Sequence, residues 1–266
     1  MMTTLNWDHT VHYINDLETA IKTFKDNKLV AFKGGSHKKW GTYNALSYFG
    51  LTYIEFLGIE DQNLAEKSIG VNCVVKDAVT LLPERETMLR IAIRTDDIDA
   101  TAASLKEQGL TLSAIIDGSR LDKRGQLIEW RMMTIEENFQ DLVYPFIIQW
   151  KGTDSERLES LTDFGVITPH PAGDVTLESA VFFVSDPIIT AAHWQSLFNL
   201  SIEESDETSV ILGIGDKSFI FKKGNDNQLK QLIFKTEVQE LKGKIISIGD
   251  GEYLFDAQET QKKVII

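Results

Sequence analysis

One cysteine, Cys73, stands in a chain of 266 residues, so no internal disulfide framework can form. That scarcity fits a reducing compartment, and a cytoplasmic protein is expected. Prolines number only five, within an ordinary globular composition of 42% hydrophobic and 25% charged residues. No apolar run approaches the roughly 20 residues that span a bilayer, so no membrane partner is expected. The opening MMTTLNWDHT lacks a basic region followed by an apolar stretch and does not read as a signal peptide. Positive charge is short as well: 27 Lys and Arg face 40 Asp and Glu, a net charge of −13. Phosphate-backbone binding draws on clustered cations, and the run His37-Lys38-Lys39 is isolated, so a nucleic-acid partner is not expected.

What the chain does have is internal repetition. The segments His9–Phe24 and Arg90–Leu105 align without a gap. Each opens as a strand, then reaches an Asp (Asp16, Asp97), an aliphatic residue (Leu17, Ile98) and an acid (Glu18, Asp99). Asp at a strand's end caps a helix, and an acid in the first turn complements the helix dipole. Apolar residues then recur at helical spacing: Leu17, Ala20, Ile21 and Phe24, against Ile98, Ala102 and Leu105.

Strands succeed each helix, at Val30–Phe32, Asn44–Phe49 and Thr52–Leu57, then at Leu112–Ile116, Gln126–Met133 and Val143–Trp150. A third, divergent copy begins near Glu178, with a helix start at Ser185-Asp186-Pro187. The expectation is an α+β fold of repeated βαβββ units. Units at about 5–60 and 88–150 pair into a curved mixed sheet around a pocket, giving a domain over 1–150. A linker over 151–174 and a third divergent unit with a C-terminal segment over 175–266 complete the chain. A helix is expected around Leu64–Leu82 in the connector between the first two units. Regular repetition of this kind marks a duplicated supersecondary unit.

Paired βαβββ units with Asp-capped helices resemble the vicinal-oxygen-chelate superfamily of glyoxalase I, extradiol dioxygenases and bleomycin-resistance proteins. The run Gly34-Gly-Ser-His37-Lys-Lys-Trp40-Gly41-Thr42-Tyr-Asn44, between Asp8-His9 and Tyr53-Ile-Glu55, is similar to the uncharacterised glyoxalase-like domain proteins. Phe146–Trp150 and the Pro169-His-Pro-Ala run are similar to the same family. The resemblance covers about residues 5 to 175.

It implies a divalent metal held by one residue from the first strand and one from the last strand of each unit. In the first unit these are His9 and Glu55; in the second they fall on Arg90 and Gln149. Arginine has no lone pair to give a metal, and Gln149 ligates weakly, so the ligand set is incomplete. Arg90 then pairs with Glu55, or holds a ligand carboxylate or phosphate by a bidentate contact. Arg94 shares a strand face with Arg90, and Arg131 on a neighbouring strand adds a third cation; facing one cavity, the three would favour an anionic small molecule. Any of them could instead point outward to surface acids.

Gly34-Gly35 permits a sharp turn between strands. His37 is a candidate acid or base near neutral pH, Trp40 a flat wall for a ligand, and Thr42 and Asn44 polar contacts. An ordinary hairpin with an exposed histidine is the plainer reading of the same residues. Three functions are open, one of them a scaffold or subunit whose pocket is vestigial. Another is an enzyme of lyase, isomerase or dioxygenase type, with metal at His9 and Glu55 or with His37 as base. The last is a non-catalytic protein that sequesters a small molecule. The third unit could serve a homodimer.

Overall fold

The computed structural model describes residues 3–121, 125 and 127–256. The first unit runs β1 (Leu5–Tyr13), α1 (Leu17–Asp26), β2 (Phe32–His37), β3 (Thr42–Phe49) and β4 (Thr52–Ile59). Asp16 caps α1 by accepting from the Glu18 backbone N–H, and the helix buries Leu17, Ala20 and Phe24. The connector holds two helices, α2 (Gln62–Ser68) and α3 (Cys73–Leu81), rather than the single one expected. Asn72 starts α3 by accepting from the Val74 N–H, which divides the segment.

The second unit runs β5 (Thr87–Thr95), α4 (Ile98–Glu107), β6 (Ile116–Leu121), β7 (Leu127–Thr134), a short hairpin of β8 (Asn138–Phe139) and β9 (Leu142–Val143), and β10 (Phe146–Trp150). Gln126, where the sequence starts one of these strands, lies outside the described residues, as do residues 257–266 of the C-terminal segment. Residues 151–174 are more than a linker. They contain α5 (Asp154–Asp163), started by a capping box in which Thr153 and Glu156 satisfy each other's backbone N–H groups.

The third unit comprises β11 (Val175–Val184), α6 (Pro187–Phe198), β12 (Ser201–Ser205), β13 (Ser209–Ile214) and β14 (Lys217–Lys223). A shortened fourth unit comes last: β15 (Gln228–Thr236), β16 (Ile245–Ile248) and β17 (Gly251–Asp256). Among the described residues no helix separates β15 from β16. β15 nevertheless pairs antiparallel with β11 as β5 does with β1, and both pairs carry two register slips.

The units assemble into two sheets. The first has the order β2-β3-β4-β1-β5-β10-β7-β6, and the second β12-β13-β14-β11-β15-β17-β16. One apolar core joins them, with α1, α4 and α6 contributing Phe24, Ile98 and Trp194. Trp7 of β1 meets Phe219 at 5.8 Å between ring centroids, Phe49 meets Phe234 at 4.8 Å, and Phe24 meets Tyr253 at 5.2 Å. The opposite face of the first sheet carries Val11, Leu57, Ala92 and Ile148, over which α3 lays Val74 and Ala78. Beyond the reach of α3 this face is open, and there the site lies.

Gly34 and Gly35 do not form a turn. Both sit in β2, at a register slip against β3 between Lys33 and Gly35. A Cβ at Gly34 would stand 2.2 Å from Asn44 Oδ1, so the glycine makes room for a side chain of the neighbouring strand.

Candidate active site

The site starts from an irregularity in β1. Alternation sends neighbouring strand residues to opposite faces. Against β5, however, the register slips between Trp7 and His9, leaving Asp8 as the extra residue of a bulge. Asp8 and His9 thereby meet: His9 Nδ1 donates to Asp8 Oδ1 at 2.6 Å. Asp8 is wholly buried, and its Oδ2 accepts from Trp150 Nε1 at 2.9 Å and from Arg157 of α5 at 3.2 Å. The Arg157 guanidinium also lies 4.4 Å over the Trp150 ring.

On the other side of the imidazole, His9 Nε2 stands 3.5 Å from Glu55 Oε2. Glu55 Oε1 accepts from Asn44 Nδ2 at 2.6 Å, while Asn44 Oδ1 accepts from the Gly35 N–H at 3.0 Å. A continuous chain of contacts therefore runs Gly35, Asn44, Glu55, His9, Asp8 and Arg157. The His9 ring stacks on Tyr53 at 4.5 Å and meets the edge of Phe146 at 5.4 Å.

Charge follows this geometry. Burial by itself would lower the His9 pKa, but hydrogen bonds and charge from Asp8 and Glu55 outweigh it and raise it to about 8. Burial would likewise raise both carboxylates. His9 and Asn44 hold Glu55 at about 2, and Arg157 and His9 hold Asp8 at about 2. His37, at the end of β2, moves the other way: burial pushes its pKa below the usual value, with Glu55 opposing and Arg120 reinforcing. Its Nδ1 shares a hydrogen bond with Thr42 Oγ1 at 3.0 Å. One cavity thus holds a histidine that keeps its proton at neutral pH and another that does without.

That cavity, of about 90 Å3, is lined by six of the residues singled out in the sequence: His9, His37, Trp40, Thr42, Asn44 and Glu55. Four others do not line it. Arg90 turns to Asp77 of α3, held through Nε and Nη2, and donates to the Tyr144 carbonyl at 3.0 Å. Arg94 binds Asp154 at 2.8 Å and the Trp7 carbonyl at 2.8 Å. Arg131 faces the helix side of the sheet, where it grips Asp99 of α4 through two nitrogens. Gln149 shares that side, donating to the Asp96 carbonyl and accepting from the Ile98 N–H at the start of α4. The three arginines are therefore taken up by acids away from the cavity wall, although Arg94 also lies 4.0 Å from Asp8 and Arg131 3.9 Å from Asp117. Among the described residues, the arginine that lines the cavity is Arg120 of β6, with the acid Asp117 of the same strand also in the lining.

Asp8, Arg157 and Arg120 are the functional candidates that sequence reasoning missed. The Asp8-His9 dipeptide was the available signal, but regular alternation would have put its members on opposite faces.

The donors present do not fit the four-ligand metal centre implied by the resemblance. Val11 pairs with Glu55, and the corresponding Ala92 pairs with Phe146, so Phe146 rather than Gln149 stands where Glu55 has its mate. Arg90, the mate of His9, is spent on Asp77. Among the described residues no cluster of three or more His, Cys, Asp or Glu side chains is arranged to hold a metal. By the same register the second sheet carries Ser179, Ile220, Gln231 and Leu254, so it offers neither a histidine nor an acid there.

A curved sheet of paired βαβββ units with a His–Glu pair on its open face defines a vicinal-oxygen-chelate protein. A family model described as a glyoxalase-like domain matches residues 7–198, and the chain belongs to that family. The fold is shared with a hypothetical protein from Staphylococcus aureus at 24% identity, TM-score 0.81, over 95% of this chain and 99% of that one. It is similar to a Mn(II)-bound glyoxalase from Novosphingobium aromaticivorans at 9% identity, TM-score 0.52, over 90% of this chain and 69% of that one. A mutant 4-hydroxymandelate synthase from Streptomyces coelicolor gives 10% identity, TM-score 0.56, over 88% and 72%. Comparison with curated protein sequences finds no match. Among the described residues no helix is long and apolar enough to cross a membrane.

Proposed function

We propose that the protein is a metal-independent proton-transfer enzyme of isomerase or lyase type, acting on a small carbonyl compound that carries an acidic group. The observation that carries this reading is the opposed protonation of His9 and His37 in one cavity, with anionic Glu55 beside both. Environments that push two titratable groups apart assign the acid and the base.

His37, neutral, takes a proton from the carbon next to the substrate carbonyl. His9, protonated, gives its proton to the carbonyl oxygen as the enol forms. Return of the two protons, to the other face or to the neighbouring carbon, completes an isomerisation. Asp8 keeps Nδ1–H engaged, so Nε2 is the atom that exchanges. Arg120 supplies the positive charge for the acidic group. The lone Cys73 supports a cytoplasmic setting.

The test is solvent deuterium exchange followed by NMR, using 2-oxobutanoate as probe. The wild type should exchange the C3 protons, and His9→Gln and His37→Gln should each slow exchange by about 100-fold or more. Binding of the probe without exchange would instead identify a sequestering protein and overturn the catalytic reading.

A further inference from the structure

The small cavity has a larger neighbour. A second hollow, of about 770 Å3, opens beside it between β2, β3, β7 and α5. The two share Leu46, Tyr48, Arg120 and Trp150, so they adjoin across these side chains. Their chemistry differs. The inner end, of about 90 Å3, holds the histidines and Glu55 and admits only a few atoms. The outer end has the apolar side chains Phe32, Ile128, Leu161 and Val166 in its wall, together with the charged Lys33, Glu129, Lys151 and Glu156. Arg120 stands at the junction, where its charge acts on His37 inside and on Tyr48 in the shared wall.

We propose that the substrate is an amphipathic carboxylic acid. Its carbonyl end enters the inner cavity, its carboxylate meets Arg120, and its hydrocarbon or aryl body lies in the outer groove under α5. This rests on the proton-transfer reading for the position of the reacting carbon, but not for binding. Three observations fix the occupant. The inner volume is too small for a bulky molecule, the Arg120 cation stands where the two hollows join, and the outer wall rewards apolar surface. Leu127 is 53% exposed at the groove, apolar area that a ligand tail would cover. A substrate of only a few atoms would leave it bare.

The experiment is a binding series with unbranched 2-oxo acids from 2-oxobutanoate to 2-oxodecanoate, measured by calorimetry and paired with deuterium exchange. Affinity should rise by up to about fourfold per methylene while the tail finds apolar wall. Ser160→Trp, which fills the groove from α5, and Phe164→Asp, which makes it polar, should each bring the affinity of 2-oxooctanoate down toward that of 2-oxobutanoate. Arg120→Gln should weaken every acid at least tenfold and leave 2-oxooctanamide unaffected. Rising affinity without exchange supports the groove and overturns the catalytic reading. Exchange with no dependence on chain length overturns the groove and leaves catalysis standing. Failure of every acid to bind, or equal binding of acid and amide, overturns the proposal.

Discussion

Asp8 and His9 are neighbours in the chain and hydrogen-bonded partners in space, 2.6 Å apart, because the strand that carries them skips one rung of its ladder. The bulge costs a pairing and gains a fixed imidazole. Its consequence is electrostatic: the carboxylate is wholly buried, and its charge is felt almost undiluted by the ring.

Asp8→Asn removes that charge while keeping the shape. The His9 titration, followed by NMR of the ring nitrogens, should move down by at least about one pH unit. An unmoved titration would mean that Glu55 alone keeps the ring protonated.

Arg90 and Asp77 form a buried pair away from the cavity, with side chains 9% and 12% exposed. Arg90→Met strands the acid and should cost about 3–5 kcal/mol in denaturant unfolding. Arg90→Met combined with Asp77→Leu should recover most of that loss, and ligand affinity should be unchanged in the double variant. Lost affinity in a stable double variant would return Arg90 to the site.

Because the mates of His9 and Glu55 are Arg90 and Phe146, treatment with chelator should shift the melting temperature by less than a degree or so and leave exchange activity intact. Near-stoichiometric zinc or manganese surviving gel filtration, with activity lost in chelator, would refute the metal-independent reading.

Stability should pass through a maximum in pH. His9 is raised to about 8, so its contribution is full below its ordinary 6.5 and fades as pH rises through 8, a loss of about 2 kcal/mol. His12 is the opposite case. Burial lowers its pKa to about 3, and its Nδ1 meets Tyr253 of the second sheet at 2.5 Å. Its contribution is present above 6.5 and is lost toward pH 3 at about 1.4 kcal/mol per unit. Melting curves should fall on both sides of about pH 6.5. His9→Gln should flatten the alkaline limb and His12→Phe the acid one.

The elements whose cause is local were legible. Asp16, Asp97 and Asp186 each cap a helix by accepting a backbone N–H, and the three helices start where the sequence puts them. The pocket-lining run from His37 to Asn44 could be read because a short hairpin keeps its residues together. What could not be read depends on register between distant strands. Gln149 looked like the mate of Glu55, yet the pairing of β10 with β5 gives that place to Phe146. Arg131 and Gln149 lie on the helix side, a parity fixed only once the partners are known. The shortened fourth unit escaped notice because it lacks the capped helix by which the other copies were recognised. Its remaining signal was the turn Gly249-Asp250-Gly251 between two alternating segments.

The shortened unit also bears on how a ligand gets in. With no helix between β15 and β16, α1 of the first unit reaches across, and Phe24 packs on Phe56 of its own sheet and on Tyr253 of the other. One helix thus rivets both halves, and a clamshell opening would tear a shared aromatic cluster apart. The hollow beneath α5 adjoins the cavity on the far face of the first sheet; every residue of α5 retains some exposure, and Arg157 ties the helix to Asp8. The residue that fixes Asp8 beside His9 is thus also the one that fastens this helix to the sheet.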